Sequence, residues 1–475
     1  MYNYTKQYIN GEWIASTGEE TIDVYNPATE EKIGAISSGT EDDLNKAVAA
    51  ARAAFPDYAK TTREERIQLL ENIATEYEKR KDKLINIMIE ELGSPLFFTE
   101  EVQYTMGYNH FKATADALRN FEFTEDRENS FIQKDAIGVA GLITPWNFPT
   151  NQISTKLASA LASGSTVVFK PASYTPFASI LLTEIMDAAG VPKGVVNLVN
   201  GKGSTIGNGI SNHPDIDFVS FTGSGKVGSQ IMQNGAKDIK KVALELGGKS
   251  PIVVLDDADV ETVARTAISN IASNTGQICS TGTRIFIPKG MYQSFVDMVQ
   301  KLVPEYPVGD PKDENTFMGP QVSKDQWEKV QDYIQQGIDQ GGDLIVGGAG
   351  KPEGLTTGYY SRITMFGNLP HDGALAQEEI FGPVMTVFTY ETIDEAITLA
   401  NTTIYGLAGY VVGNDPDNLR KVAKNIRAGR ITINNAAPDF SAPFGGFKQS
   451  GIGREWGDYG IEEFLEPKTI LGLPK

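Results

Sequence analysis

From about residue 136 the chain alternates short apolar runs with helix-like stretches, and this alternation restricts its fold more than any other feature. The strand-like runs are Ile137–Ile143, Thr166–Lys170, Val195–Val199, Phe218–Phe221 and Val242–Leu246. Between them lie helix-like stretches, notably 151–163 and 176–189, the second opened by Pro176 at a first-turn position. Parallel strands need a crossover connection, and a helix is the usual one. The repetition therefore predicts a parallel sheet covered by helices on both faces. A second α/β stretch runs from about 250 to 445. Ahead of both, residues 8–38 read as short strands with turns, and helical periodicity takes over from about Glu41. One long helix is expected from Thr62, where Thr62-Arg63-Glu64-Glu65 offers a capping box, to a stop at Gly93 and Pro95. No internal repeat or low-complexity linker marks a domain boundary.

A length of 475 residues allows about two or three domains. The net charge of −19 argues against nucleic acid and anionic membrane as partners, because a phosphate field repels such a surface. The first residues carry no basic-then-apolar signal pattern, and no apolar run is long enough to span a bilayer. Three histidines, His110, His213 and His371, lie far apart without ligand spacing, which argues against a histidine-based metal site or a Ser–His–Asp triad. No metal is expected. Cys279 is the single cysteine, so the chain forms neither an internal disulfide nor a thiolate metal cage, and a reducing cytoplasm is the expected compartment. Gly276 and Gln277 just before Cys279 suggest backbone bent close to a ligand, not a packed helix interior.

Several other short segments suit chemistry at strand ends. The run Phe221-Thr222-Gly223-Ser224-Gly225-Lys226-Val227-Gly228 follows a strand, opens a helix and matches the G-x-G-x-x-G dinucleotide pattern. That scheme places a ribose-binding acid about 20 residues on, near Glu245. Glu245 itself sits between two leucines at a strand's carboxyl end, where partial desolvation raises its pKa toward general-base duty. A phosphate-loop reading of Gly247-Gly248-Lys249-Ser250 fails because Ala243 stands at the loop's first glycine. Asn147, between Pro145 and Pro149, is either a turn residue or an amide donor to a developing oxyanion. Lys170 ends a strand before Pro171 and either holds a ribose or phosphate or faces solvent. Glu378-Glu379-Ile380-Phe381-Gly382-Pro383 joins acid, aromatic and turn residues.

In this order and beside the lone cysteine, these segments resemble the aldehyde dehydrogenase superfamily. The similarity extends from Asn26-Pro27-Ala28-Thr29 to Pro443-Phe444-Gly445-Gly446-Phe447-Lys448. It is most specific at Pro145–Pro149, Phe221–Ser224, Leu244–Lys249, Gly276–Cys279 and Glu379–Pro383. The resemblance implies that Cys279 is the nucleophile, that Glu245 is the general base, and that Asn147 with the Cys279 backbone N–H forms the oxyanion hole. It implies that Lys170 holds the adenosine ribose, that Gly223 and Ser224 lie at the pyrophosphate, and that Glu379 binds the nicotinamide ribose with Phe381 against the cofactor. Trp146, Gly203, Gly207 and Leu246 match positions lining the cofactor cleft. The family turn is G-S-x-x-x-G, which makes Gly225 incidental and frees Glu245 from the ribose. By position, Phe148, Gln152, Thr155, Ile278, Ser280 and Phe444 line the substrate funnel, and Thr155 in place of a bulky aromatic hints at room for a longer aldehyde.

One departure bears on the cofactor. Many NAD-specific relatives carry Glu three residues after the lysine, and here Ser173 stands there. A carboxylate repels a 2′-phosphate, whereas Ser173 beside Lys170 accommodates one, so NAD and NADP both remain open. The implied reaction is oxidation of an aldehyde to the carboxylic acid through a thiohemiacetal and thioester on Cys279. Glu245 weighs against a CoA-acylating variant, and Cys279, Glu245 and Asn147 together weigh against a non-catalytic structural protein on the same fold. No cluster of basic residues marks a carboxylated semialdehyde, and no substrate is singled out. The expected architecture is two doubly wound α/β domains plus a small β arm. Residues 1–120 and 138–247 bind cofactor, 248–447 form the catalytic domain, and 121–137 with 458–475 form an oligomerisation arm. The apolar strand near Phe464–Leu471 is too exposed for a monomer's edge, which implies a homodimer or homotetramer.

Overall fold

A computed structural model describes residues 1–472. Among them, the largest sheet has eight strands in the order Gly451–Ile452, Lys241–Glu245, Phe218–Thr222, Val139–Ile143, Thr166–Lys170, Val196–Leu198, Lys6–Ile9 and Glu12–Ala15. Its five central strands, Lys241–Glu245 through Val196–Leu198, are parallel and correspond to the five predicted apolar runs. The chain starts the parallel part of this sheet in the middle at Val139–Ile143, winds outward through Thr166–Lys170 and Val196–Leu198, then crosses to Phe218–Thr222 on the other side. That reversal leaves a crevice at the strands' carboxyl ends, where open α/β sheets hold ligands. Register sets Ile143 beside Lys170 and Thr222 beside Glu245, so the backbone leaves these strands at one level.

A second sheet has seven strands in the order Asp343–Val346, Thr364–Gly367, Val384–Tyr390, Gly282–Pro288, Ser250–Val254, Ala408–Val412 and Arg430–Ile433. All are parallel except Asp343–Val346. The two units are not strictly separate in sequence. Gly451–Ile452 returns to pair antiparallel with Leu244 and Glu245. A small sheet joins Leu465–Leu471, Ser130–Ala136 and Thr124–Asp126, while the helix Gly457–Glu463 packs on the helices Thr105–Arg119 and Pro149–Ser163. The last residues of the expected arm, 473–475, lie outside the described residues. No helix of the described residues is long and apolar enough to cross a membrane.

The helix Pro149–Ser163 runs against the first sheet with every residue buried. Leu157 and Leu161 in it are fully enclosed, and truncating either to Ala costs about 2–5 kcal/mol of transfer and cavity energy. Two sequence expectations need correction. The run Ile137–Ile143 is broken at Gly138, whose φ of +124° ends the strand Ser130–Ala136 and starts Val139–Ile143 afresh. A side chain there would collide with the Asp217 carboxylate, which accepts the Val139 N–H at 2.7 Å. The single helix expected from Thr62 is two, Arg63–Glu78 and Lys81–Leu92. The Arg80 guanidinium takes the Glu76 carbonyl at 3.0 Å, and the Arg80 N–H bonds Tyr77 O, so the i→i−4 ladder stops there. The Thr62 capping box and the left-handed Gly93 stop are as expected.

Candidate active site

Carboxyl ends of the first sheet meet amino ends of the second, and the gap between them holds two cavities. The smaller, about 190 Å³, is lined from the first sheet by Trp146, Asn147, Thr222, Gly223, Ser224, Glu245 and Leu246, and from the second by Cys279, Glu379 and Phe381. The larger, about 470 Å³, is lined by Phe148, Gln152, Ile278, Cys279, Ser280, Arg430, Phe444 and Trp456 among others. Cys279 is the one described residue that lines both.

Local chemistry explains why the thiol stands there. After the helix Val260–Ala272 the chain turns through Asn274 and Thr275, both left-handed at φ +48° and +57°. Such backbone costs about 1–3 kcal/mol per residue and persists only where the surroundings over-determine it. Here they do. Asn274 Nδ2 donates to Asn147 O at 2.9 Å, Thr275 Oγ1 donates to Gly319 O at 3.0 Å, and Gln277 Oε1 accepts from the Val322 N–H at 3.0 Å. Gly276 adds a left-handed turn at φ +70°, and a Cβ there would lie 2.2 Å from the Gly382 carbonyl oxygen. The cysteine loop is thus pressed directly onto the Glu379–Pro383 loop.

Asn147 is buried and its Nδ2 donates to Gln277 O at 2.9 Å, which commits one of its two N–H groups and leaves the other. Gln103 Nε2 holds the Asn147 carbonyl at 3.0 Å. Cys279 is half-buried, and its thiol is pushed up to about 12 by desolvation, then by the negative fields of Glu379 and Glu245, against a lowering by Arg430. Glu245 is 4% exposed, its Oε2 has no partner, and its pKa is raised well above the carboxylate range by burial and by Glu455. Lys156 and Arg454 oppose that rise. Glu455 belongs to a buried ion pair with Lys156, whose Nζ also donates to Ser220 Oγ at 3.0 Å. Lys156 and Glu455 carry no motif signal. Only tertiary structure brings the helix Pro149–Ser163 to the returning C-terminal segment.

On the cofactor side, Ser224 caps the helix Gly225–Ala236, its Oγ accepting from the Val227 N–H at 3.5 Å. The first-turn N–H groups of that helix face the crevice with the positive end of its dipole. Gly225 is the first helical residue and shows no special geometry. Glu379 accepts from the Gly248 N–H at 3.2 Å and is pushed up to about 7 by burial. Phe381 is left-handed at φ +61° and meets Trp146 edge-on at 5.3 Å. Gln326 Nε2 holds Phe381 O at 2.8 Å and Lys329 Nζ holds Glu379 O at 3.1 Å; sequence reasoning missed both.

Further along the sheet edge, Lys170 is buried and brought down to about 8 by desolvation, with Pro171 O as its bonded acceptor at 2.9 Å. Gly207 adjoins its side chain, Ser173 Oγ donates to Gly201 O at 3.3 Å, and Gly203 is open. None of these four lines the 190 Å³ cavity. Of the six expected funnel residues, Phe148, Gln152, Ile278, Ser280 and Phe444 line the larger cavity. Thr155 does not. It lies in the enclosed middle of the helix Pro149–Ser163, with Oγ1 buried and unpartnered, while Asn151 and Gln152 a turn earlier reach the cavity wall. Room for a longer aldehyde does not follow from Thr155.

Known proteins match this chain over its length. A family model described as the aldehyde dehydrogenase family matches residues 13–470. A protein of Staphylococcus epidermidis named a putative aldehyde dehydrogenase is 56% identical over 475 residues, covering 100% of both chains. One from Staphylococcus haemolyticus with the same description is 55% identical over 472 residues, 99% of each. Among solved structures, a mutant of aldehyde dehydrogenase C from Pseudomonas syringae, complexed with NAD+ and octanal, is similar with a TM-score of 0.97 and 40% identity, covering 98% of this chain and 96% of that chain. Betaine aldehyde dehydrogenase from Staphylococcus aureus in complex with NAD+ has a TM-score of 0.95 and 37% identity, with 98% and 94% covered.

Proposed function

The chain belongs to the aldehyde dehydrogenase family, and we propose that it oxidises an aldehyde to the carboxylic acid with Cys279 as nucleophile and NAD or NADP as cofactor. The observation that carries this reading is the position of Cys279, shared by the two cavities. One cavity admits the aldehyde and the other the cofactor's reactive end. Relatives complexed with NAD+, one of them also with octanal, support both assignments.

The residues present suit a nicotinamide dinucleotide. Thr222 Oγ1 is buried without a partner on the smaller cavity's wall, and the Ser224-capped helix offers first-turn N–H groups to a pyrophosphate. Lys170, with three donors and one bonded carbonyl, suits ribose hydroxyls, with Gly207 beside it and Gly203 and Ser173 as further candidates. Glu379 would take the other ribose, with Trp146, Leu246 and Phe381 as apolar walls. When bound, the cofactor supplies the hydride acceptor that lets a thiohemiacetal become a thioester.

The protein's own groups do the rest. Cys279 gives up its proton to solvent, and the thiolate adds to the carbonyl carbon. The uncommitted N–H of Asn147 and the Cys279 backbone N–H meet the oxygen as it becomes an anion, where losing one donor costs about 3 kcal/mol in the transition state. Glu245 then removes a proton from the water that attacks the thioester, and the thiol leaves. Its raised pKa makes it a stronger base for that step, and activity rises with pH as it ionises. With Glu245 in place the acyl group goes to water, so added CoA leaves turnover unchanged.

The strand Leu465–Leu471 pairs with no second strand among the described residues and Leu471 is 75% exposed, which supports an arm that pairs with a second copy in a homodimer or homotetramer. In this scheme 1–120 with 138–247 carry the cofactor, 248–447 the thiol, and 121–137 with 458–475 the arm. A free catalytic thiol suits a reducing cytoplasm. The test is an aldehyde panel run with NAD and with NADP, following absorbance of the reduced cofactor. No reduction with any aldehyde by folded protein would remove the reading.

A further inference from the structure

The larger cavity holds a cation that the mechanism above leaves unused. Arg430 opens the strand Arg430–Ile433, and its Nη2 donates to Ser280 Oγ at 3.3 Å, on the residue that follows the nucleophile. The guanidinium lies over the Phe444 ring, 5.2 Å from its centroid, and both residues line the cavity. Its Nε is buried without a hydrogen-bond partner, and no carboxylate among the described residues pairs with it within 4.0 Å.

The acids on the same wall are already engaged. Glu455 is paired with Lys156, and Asp439 Oδ1 accepts from the Ser441 N–H at 2.9 Å and hydroxyl at 2.6 Å at the exposed rim. Most of the remaining wall is apolar, including Met106, Phe148, Ile278 and Trp456. A guanidinium presents its N–H groups in a planar fork that matches a carboxylate bidentately. Nη2 is the only side-chain nitrogen of Arg430 with a hydrogen-bond partner among the described residues, so the guanidinium keeps donors for an acceptor that the chain itself does not supply.

We infer that Arg430 anchors a carboxylate carried by the substrate, so that the aldehydes this site prefers are short oxo acids with an aldehyde at one end and a carboxylate at the other. The apolar wall packs the methylenes between them. The fork touches Ser280, one residue from Cys279, which favours a short spacing between the two ends, and oxidation then yields a dicarboxylate. The sequence alone did not show this, because one arginine at a strand start is an ordinary surface feature until the fold sets it beside the thiol. The inference rests on the proposed role of Cys279.

The experiment compares 4-oxobutanoate with butanal, matched in chain length, on the full-length wild type, R430Q and R430K. In the wild type, kcat/KM for the oxo acid exceeds that for butanal by about tenfold or more, mainly through KM. R430Q lowers the oxo-acid value roughly thirtyfold more than the butanal value, and R430K, which keeps the charge and loses the fork, falls between them. Succinate competes with the oxo acid in the wild type and loses that effect in R430Q, a readout that needs no turnover. Equal losses on both aldehydes would mean that Arg430 acts through Cys279 or the fold, and would overturn the inference while leaving the dehydrogenase reading intact. A wild type that prefers butanal would do the same. Absence of turnover and of a reduced-cofactor burst with either aldehyde would overturn the reading beneath it as well.

Discussion

The two sides of Cys279 are assembled in different ways. The cofactor side is built mainly from consecutive strand exits of one sheet, with Trp146, Lys170, Ser224 and Glu245 each within a few residues of a strand's carboxyl end. The substrate side gathers Phe148, Ile278, Arg430, Phe444 and Trp456 from distant parts of the chain. A ligand common to many proteins is met by backbone geometry at sheet ends, whereas a particular ligand is met by side chains that only tertiary structure brings together. Changes on the first side should therefore alter cofactor use whatever the aldehyde, and changes on the second should depend on the aldehyde.

The largest effect comes from removing what the two sides share. Cys279→Ala loses on the order of 10⁴–10⁶ in dehydrogenase turnover, yet still quenches its own fluorescence on binding NAD or NADP, because the cofactor side is intact. Loss of cofactor binding in this variant would merge the two sides into one. Glu245→Gln comes next. Its steady-state rate falls about 10²–10⁴-fold while the first-turnover burst of reduced cofactor keeps most of its amplitude. Equal loss of burst and turnover would count against Glu245 as the deacylating base. Asn147→Ala lowers kcat about 10²–10³-fold for every aldehyde, since the oxyanion is common to all of them. Lys170→Met acts on the cofactor side alone and raises KM for the dinucleotide by about tenfold with kcat nearly kept.

The smallest effect is a pH dependence. Glu379 is pushed up to about 7, so it is protonated below that value and ionised above it. Only the ionised form offers both oxygens to ribose hydroxyls, so KM for the cofactor rises severalfold between about pH 8 and pH 6 and becomes flat in Glu379→Gln. A pH trend that survives that substitution would belong to another group.

Much of the cofactor side was legible in sequence, because Pro145–Pro149, Phe221–Ser224 and Glu245–Lys249 are short segments whose turn chemistry fixes their shape. The five central strands were legible for the same local reason. Gly276 before Cys279 likewise signalled bent backbone, and the structure adds why: only a glycine tolerates the Gly382 carbonyl so close. What escaped was decided by remote contacts. Nothing local distinguishes Arg430 from a solvated strand end, or Lys156 and Glu455 from unrelated charges. The break at Arg80 depends on a side chain taking the Glu76 carbonyl, which helical periodicity does not reveal. Thr155 was misplaced because alignment by position ignores which face of a fully buried helix turns toward the cavity.

The strand that ends in Glu245 is completed late. Gly451–Ile452 pairs along it, Ser450 O accepts the Leu246 N–H at 2.9 Å, and Glu455 sets its electrostatics. During synthesis, a chain that has emerged through Cys279 but not yet through residue 455 has its thiol without the neighbours that tune the base. A chain truncated before Gly451 is therefore expected to bind aldehyde and cofactor without turning them over, which a truncation series followed by reduced-cofactor absorbance checks.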